Sequence, residues 1–210
     1  MKKKVYIGLW MIGLFVLWTA AVCFVDVQPI GPGGTTVGFA TVNGFFHKLT
    51  GVHMMLYTVT DWLGLVPLAV ALGFALLGLS QWVGRKSLAK VDGSILILGG
   101  FYLAVMGAYV LFELFPVNYR PVQIDGFLEA SYPSSTTLLV MCAMPTALMQ
   151  FRSRIKNQTA KQGITFVIAA FAVFMVIGRL ISGVHWFTDI VGGALLSGGL
   201  VMLYDAFAGK

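Results

Sequence analysis

Six apolar stretches, at 5–25, 56–83, 95–115, 133–150, 164–181 and 186–204, dominate this chain and leave it few ways to fold. About twenty apolar residues, rising 1.5 Å each as a helix, cross a hydrocarbon layer roughly 30 Å thick. Inside that layer every backbone N–H and C=O has to be satisfied within the protein, which restricts the choice to helices or a closed barrel. The stretches predict an all-α, polytopic membrane protein, a bundle of six transmembrane helices in one domain over 1–210. Charged residues make up 10% of the chain against about 25% in soluble domains, in keeping with this. The apolar run behind Met1-Lys2-Lys3-Lys4 is too long for a typical secretory signal and is read as the first span.

Between the first two spans, Pro29, Pro32 and the glycines at 31, 33 and 34 break the chain. Val42–Met55 is then expected as a short helix lying on the outer surface. His47 and His53 fall in it without companions at metal-ligand spacing and are read as interfacial residues. Asp61 and Trp62 near the outer end of the second span are read as an acid and an indole tolerated there. Cys23 and Cys142 both lie in apolar runs and are read as membrane-packed thiols; Thr19-Ala20-Ala21-Val22-Cys23 is a poor match to a lipoprotein cleavage site.

The net charge of +6 does not point to nucleic acid, because the basic residues do not gather with aromatics into a groove. They report topology instead. With the N-terminus inside, Lys2, Lys3, Lys4, Arg85, Lys86, Lys90, Arg152, Arg154, Lys156, Lys161 and Lys210 all fall on the cytoplasmic side, eleven of the fourteen Lys and Arg residues. Both termini are therefore expected in the cytoplasm of a cell whose plasma membrane the chain spans. Lys48, Arg120 and Arg179 remain outside. The same topology brings Arg120, Pro133–Thr137, Arg179, His185 and Asp189 to the extracytoplasmic ends of their helices.

Charged groups at membrane depth are costly unless paired or wet, so Arg179, His185 and Asp189 read as a functional site. At i and i+4, His185 and Asp189 share a helix face. The aspartate can hold one imidazole nitrogen and leave the other free as base or nucleophile. Two arginines favour a phosphate ligand through their planar forks of donors. Pro133 suits a first helical position, and the Ser134-Ser135-Thr136-Thr137 run at a helix start offers backbone N–H groups and hydroxyls to an anion. A simple Ser/Thr cap is the competing reading of that run.

Arg120-Pro121, Pro133-Ser134 and Arg179-x5-His185-x3-Asp189 together resemble the three-part signature K-x6-R-P, P-S-G-H and S-R-x5-H-x3-D of the type 2 phosphatidic acid phosphatase (PAP2) superfamily. The order, the third motif's spacing and the six-span hydropathy all agree. The resemblance implies a six-helix bundle of PAP2 type acting on a phosphorylated membrane lipid, with the bilayer as its setting and no nucleic-acid partner. It implies His185 as the nucleophile forming a phosphohistidine and Asp189 as its orienting partner. Arg120, Arg179, Ser134, Ser135 and Thr136 would bind the phosphate. No cofactor and no metal are implied, and the sequence offers no carboxylate cluster suited to a divalent ion. Nothing in the sequence fixes an oligomeric state.

Three positions depart from the signature: Glu113 stands for its lysine, Thr136 for the second-motif histidine and Gly178 for its serine. The histidine expected to protonate the leaving group is therefore replaced. One reading is a phosphatase for lipid diphosphates such as polyprenyl diphosphate, whose phosphate leaving group needs an acid less than the alkoxide of a phosphatidate-type monoester does. A second gives the acid's role to Glu113 or Glu129, although neighbouring arginines would hold their pKa values down. A third is a catalytically impaired protein that binds or transports phosphorylated lipids.

Overall fold

The computed structural model describes residues 1–208, and the described residues form eight α-helices. They are α1 (Lys2–Phe24), α2 (Ala40–Thr50), α3 (Met54–Leu63), α4 (Leu65–Arg85), α5 (Gly93–Leu114), α6 (Ser135–Arg154), α7 (Gln158–Ile181) and α8 (Phe187–Ala208). Lys210, counted above on the cytoplasmic side, lies outside the described residues. Helices α3 and α4 run on from one another through Gly64 as one apolar stretch.

Five helices are long and apolar enough to cross a membrane: α1, α3–α4, α5, α7 and α8. The fourth expected span, α6, is 20 residues long but not among them. It is the helix the others enclose, packing against α4, α5, α7 and α8. Its buried positions include Thr146 and Gln150, whose side chains are satisfied by protein rather than lipid. A helix that meets protein all round does not need an apolar surface, and its hydropathy falls accordingly.

The bundle closes on α8, which packs on α1, α5 and α6. Along the α1–α8 crossing, Gly8 and Gly199 let the two backbones approach; a Cβ at Gly199 would stand 2.8 Å from Ile12 and 3.1 Å from the Gly8 carbonyl oxygen. Such small-residue contacts drive close helix packing where lipid removes the hydrophobic incentive. At the end of the bundle that carries Arg85 and Arg154, the side chain of Asp92, which precedes α5, accepts from Gln81 and Arg85, and Arg154 lies 3.6 Å away. Gln150 joins Ser94 and Tyr204 there, tying α5, α6 and α8.

Several boundaries differ from expectation. The surface helix begins at Ala40 and stops at Thr50, because Gly51 turns the chain at φ 69°. It is fastened rather than floating: buried Asn43 donates to Gly38 O (2.7 Å) and Thr188 Oγ1 (3.0 Å) and accepts from Thr188 N (3.1 Å). Pro133 does not open α6; Ser134 is the N-cap, its hydroxyl 3.4 Å from Thr137 N. Cys142 is buried, but Cys23 faces outward from α1.

Candidate active site

The α5–α6 connection, read from sequence as a plain polar link, is a narrow hairpin. Bridges pair Tyr119 with Ala130 and Ile124 with Phe127. The turn residues Asp125 and Gly126 both have positive φ, 50° and 81°, as a two-residue hairpin turn demands. Side chains alternate across such a ladder, so Asn118 and Arg120 on one arm share a face with Glu129 and Ser131 on the other. That face meets the start of α8. Trp186 Nε1 donates to Tyr119 O at 2.8 Å and locks the two together.

The lead into α8 runs from Ser182 to Trp186. Gly183 sits there at φ 69°, with the Gly51 carbonyl so close that a Cβ would collide with its oxygen. Glycine is therefore required by both conformation and space. His185 lies in this segment, before the helix, and Asp189 in its first turn. The expected direct contact between them is not made: His185 Nδ1 and Asp189 Oδ2 are 3.7 Å apart. Ser131 bridges them. Its hydroxyl donates to Asp189 Oδ2 and lies 3.0 Å from His185 Nδ1. With its one hydrogen given to the carboxylate, the hydroxyl can only accept from Nδ1–H, which leaves the lone pair on Nε2. Asp189 Oδ2 also accepts from Trp186 N at 2.8 Å, and Oδ1 from Asn118 at 3.4 Å.

His185 is 3% exposed and its Nε2 has no partner among the described residues. Burial first, then the positive charges of Arg120 and Arg179, hold its pKa well below the ordinary imidazole value. The ring is neutral, which is the form that attacks an electrophile.

Arg179, in the last turn of α7, is 1% exposed. Its Nη1 reaches Thr60 Oγ1 (3.4 Å) and Tyr57 O (3.5 Å), and Nη2 pairs with Asp61 Oδ1 at 3.2 Å, while Nε is without a partner among the described residues. Arg120 Nε lies 3.0 Å from Glu129 Oε2 but out of line for a hydrogen bond, and its Nη1 is unpartnered among them too. The Tyr57 ring lies under both guanidiniums, 5.9 Å from Arg120 and 4.9 Å from Arg179. Buried polar atoms are usually satisfied. Unpartnered nitrogens on Arg120, Arg179 and His185 make up four of the seven such atoms in the described residues. The arrangement suits a tetrahedral anion in front of a neutral imidazole.

The structure therefore brings Arg120, Arg179, His185 and Asp189 together. Ser134 joins them through its backbone, donating to Asp189 O at 3.0 Å, but its side chain serves as the cap, as the competing reading had it. Ser135 and Thr136 instead line a groove of about 450 Å³ between α3–α4, α5 and α6, whose walls are apolar residues such as Leu65, Leu68, Val105 and Met106. Asp61 lies on the same groove, so it touches both the groove and Arg179. Glu113 is exposed at the end of α5, beside Tyr132 and Ser135, and forms no ion pair among the described residues. It is Glu129 that engages Arg120. His47 packs its ring against Trp186, and His53 bonds Thr50 O at 2.8 Å. No group of His, Cys, Asp or Glu suited to a metal ion occurs among the described residues.

Ser131, Asn118, Tyr57 and Thr60 are not legible as site residues in the sequence, and Asp61, expected as an acid tolerated near the outer end of the second span, is a partner of Arg179. The Asp125-Gly126 pair is the one signal that could have found the first two, since Asp-Gly between short extended runs marks a hairpin.

Residues 113–208 match the family model of the PAP2 superfamily, a span that contains all three motifs. The crystal structure of the first transmembrane PAP2 type phosphatidylglycerolphosphate phosphatase from Bacillus subtilis superposes over 96% of this chain and 96% of its own, with a TM-score of 0.62 and 18% sequence identity. No curated protein sequence matches significantly. The chain is an integral membrane protein that is similar in sequence to the PAP2 superfamily over 113–208 and shares the fold of a PAP2 type phosphatase over nearly its whole length.

Proposed function

We propose that this protein is a lipid phosphatase, one transmembrane domain in which α6 is the fourth span, with both termini in the cytoplasm and the site at the extracytoplasmic face. The observation that carries the reading is the unpartnered, neutral Nε2 of His185 beside spare guanidinium donors. In the proposed reaction Arg120 and Arg179 hold the phosphate oxygens and Nε2 attacks phosphorus in line with the leaving oxygen. The N–P bond forms as the O–P bond breaks, and the leaving group departs with its electron pair. Ser131 and Asp189 stabilise the positive charge that develops on the ring, much as a carboxylate supports a catalytic imidazolium. Water then cleaves the phosphohistidine, releasing inorganic phosphate and restoring the imidazole. The apolar groove beside Asp61 offers a lipid chain a berth within the bilayer.

Thr136 cannot protonate an alkoxide, Glu113 is exposed, and Glu129 is half-buried and held by Arg120. A diphosphate, whose leaving group is itself a phosphate, needs no such acid, so polyprenyl diphosphate is expected to outpace phosphatidate. General acid assistance is typically worth about 10²- to 10⁴-fold, which sets the scale of the difference. A second reading, a protein that binds or carries phosphorylated lipids, is favoured by one observation: each arginine already faces a carboxylate.

Phosphate release by the purified protein from polyprenyl diphosphate and from phosphatidate separates the two. Release that disappears in His185→Ala, with an acid-labile phosphohistidine trapped in the wild type, supports the enzyme. Silence on both lipids, with His185→Ala binding them as well as wild type does, leaves the binding protein.

A further inference from the structure

Neither arginine of the site is free of a counter-ion, and both counter-ions come from outside the three sequence motifs. Asp61 at the end of α3 pairs with Arg179 at 3.2 Å, and Glu129 of the hairpin lies 3.0 Å from Arg120. Each pair runs from an enclosed cation to an accessible anion: the arginine side chains are 1% and 9% exposed, those of Asp61 and Glu129 55% and 41%. The carboxylates thus form the outer wall of the cradle.

The charge balance has a consequence for what can bind. Arg120 and Arg179 are set against Asp61, Glu129 and the buried Asp189, with His185 neutral, so the site is negative by one charge before a phosphate arrives. A phosphate ester without positive charge brings a new anion to the spare guanidinium nitrogens, beside the carboxylates of Asp61 and Glu129. Like charges brought together in this way act against a ligand, and natural sites use them to reject the wrong one. A headgroup with an ammonium a few bonds from its phosphate meets no such obstacle. Its phosphate takes the spare donors of Arg120 and Arg179 in front of His185, and its ammonium takes the accessible oxygens of Asp61 and Glu129. The unpartnered buried nitrogens mark the anion's place, and the accessible carboxylates mark the cation's.

We propose that Asp61 and Glu129 are specificity-determining residues that select phosphate esters carrying a cationic amino group next to the phosphate. This rests on the phosphatase reading; it ranks headgroups of equal phosphate number by their charge, separately from the preference for a diphosphate leaving group that the missing acid sets. The test uses two probes matched in chain length, an alkyl phosphate and the 2-aminoalkyl phosphate. The wild type is expected to favour the amino probe by roughly tenfold in kcat/KM, the scale of one charge contact. Asp61→Asn and Glu129→Gln keep an oxygen for the arginine but drop the charge. Each is expected to bring the two probes closer, mainly by improving turnover of the plain alkyl phosphate.

A wild-type ratio within about twofold of one overturns the proposal. So does an equal loss on both probes in both variants, which is what a purely structural ion pair would give. If neither probe releases phosphate, the phosphatase reading fails on these substrates, and the ratio of calorimetric Kd values on wild-type protein decides the charge preference by itself: a tighter amino probe supports it, equal affinities overturn it.

Discussion

Ser131→Ala removes the one hydroxyl that connects the imidazole to its carboxylate. In the intact site Ser131 donates to Asp189 and stands 3.0 Å from His185 Nδ1, while the His185–Asp189 gap of 3.7 Å is too long for a hydrogen bond. Without it, Asp189 keeps Trp186 N and a long contact to Asn118, and the buried Nδ1–H is left without an acceptor. The imidazole can recover a direct bond only by closing most of an ångström toward Asp189. The net loss is then one hydrogen bond to a charged group, about 1.5–3 kcal/mol, or roughly 10- to 150-fold in rate. Moving a reacting atom by about 1 Å independently predicts a loss near 10²-fold. The two estimates agree, and both place the effect in kcat.

The assay is phosphate release by detergent-solubilised protein under saturating and limiting substrate, with Ser131→Thr beside Ser131→Ala. The threonine keeps a hydroxyl and should retain most of the rate. A variant with kcat within about threefold of wild type, or with a raised KM and intact kcat, would refute the bridging role. Asp189 would then orient His185 by some other route.

Thr136→His should raise turnover of a monoester more than that of a diphosphate, since only the alkoxide needs a proton; unchanged monoester turnover in phosphate-release assays would mean that the missing acid does not limit the site. His185 should give kcat/KM an acid limb below the ordinary imidazole value of 6.5, because burial and the two arginines lower its pKa. The same shift sets the sign for stability: as pH falls below 6.5 the unfolded chain takes up a proton that the folded site refuses, so stability declines until the folded pKa is reached. His185→Gln should therefore melt with less acid dependence than wild type. Asn43→Ala should cost about 3 kcal/mol, measured by thermal unfolding in detergent. It strips Thr188 N and Gly38 O of their buried partner, at about 1–3 kcal/mol for each group left unsatisfied.

The fold was legible because its main constraint is local. Apolar length announces a span whatever the neighbours are, and five of the six expected stretches appear as long apolar helices, with ends shifted by a few residues. The exception follows from the same physics. Helix α6 is enclosed by protein, so its sequence answers to its neighbours rather than to lipid. The Arg179–His185–Asp189 run was equally readable, since charge in hydrocarbon has to be explained within the chain itself.

The partners of those charges were not readable. Spacing places His185 and Asp189 one helical turn apart, but whether they touch depends on where α8 begins, and that depends on Gly183 packed against Gly51 and Asn43 fastened to Thr188. Ser131 reaches the gap only because a hairpin folds back over the bundle. Asp61 meets Arg179 across 118 residues of sequence and Ser131 meets Asp189 across 58. No periodicity encodes such contacts. The sequence by itself determined a membrane bundle with a histidine, an aspartate and two arginines at one end. Only the tertiary structure decided which carboxylate answers each cation, because Coulomb partners are set by distance in space and not by distance along the chain.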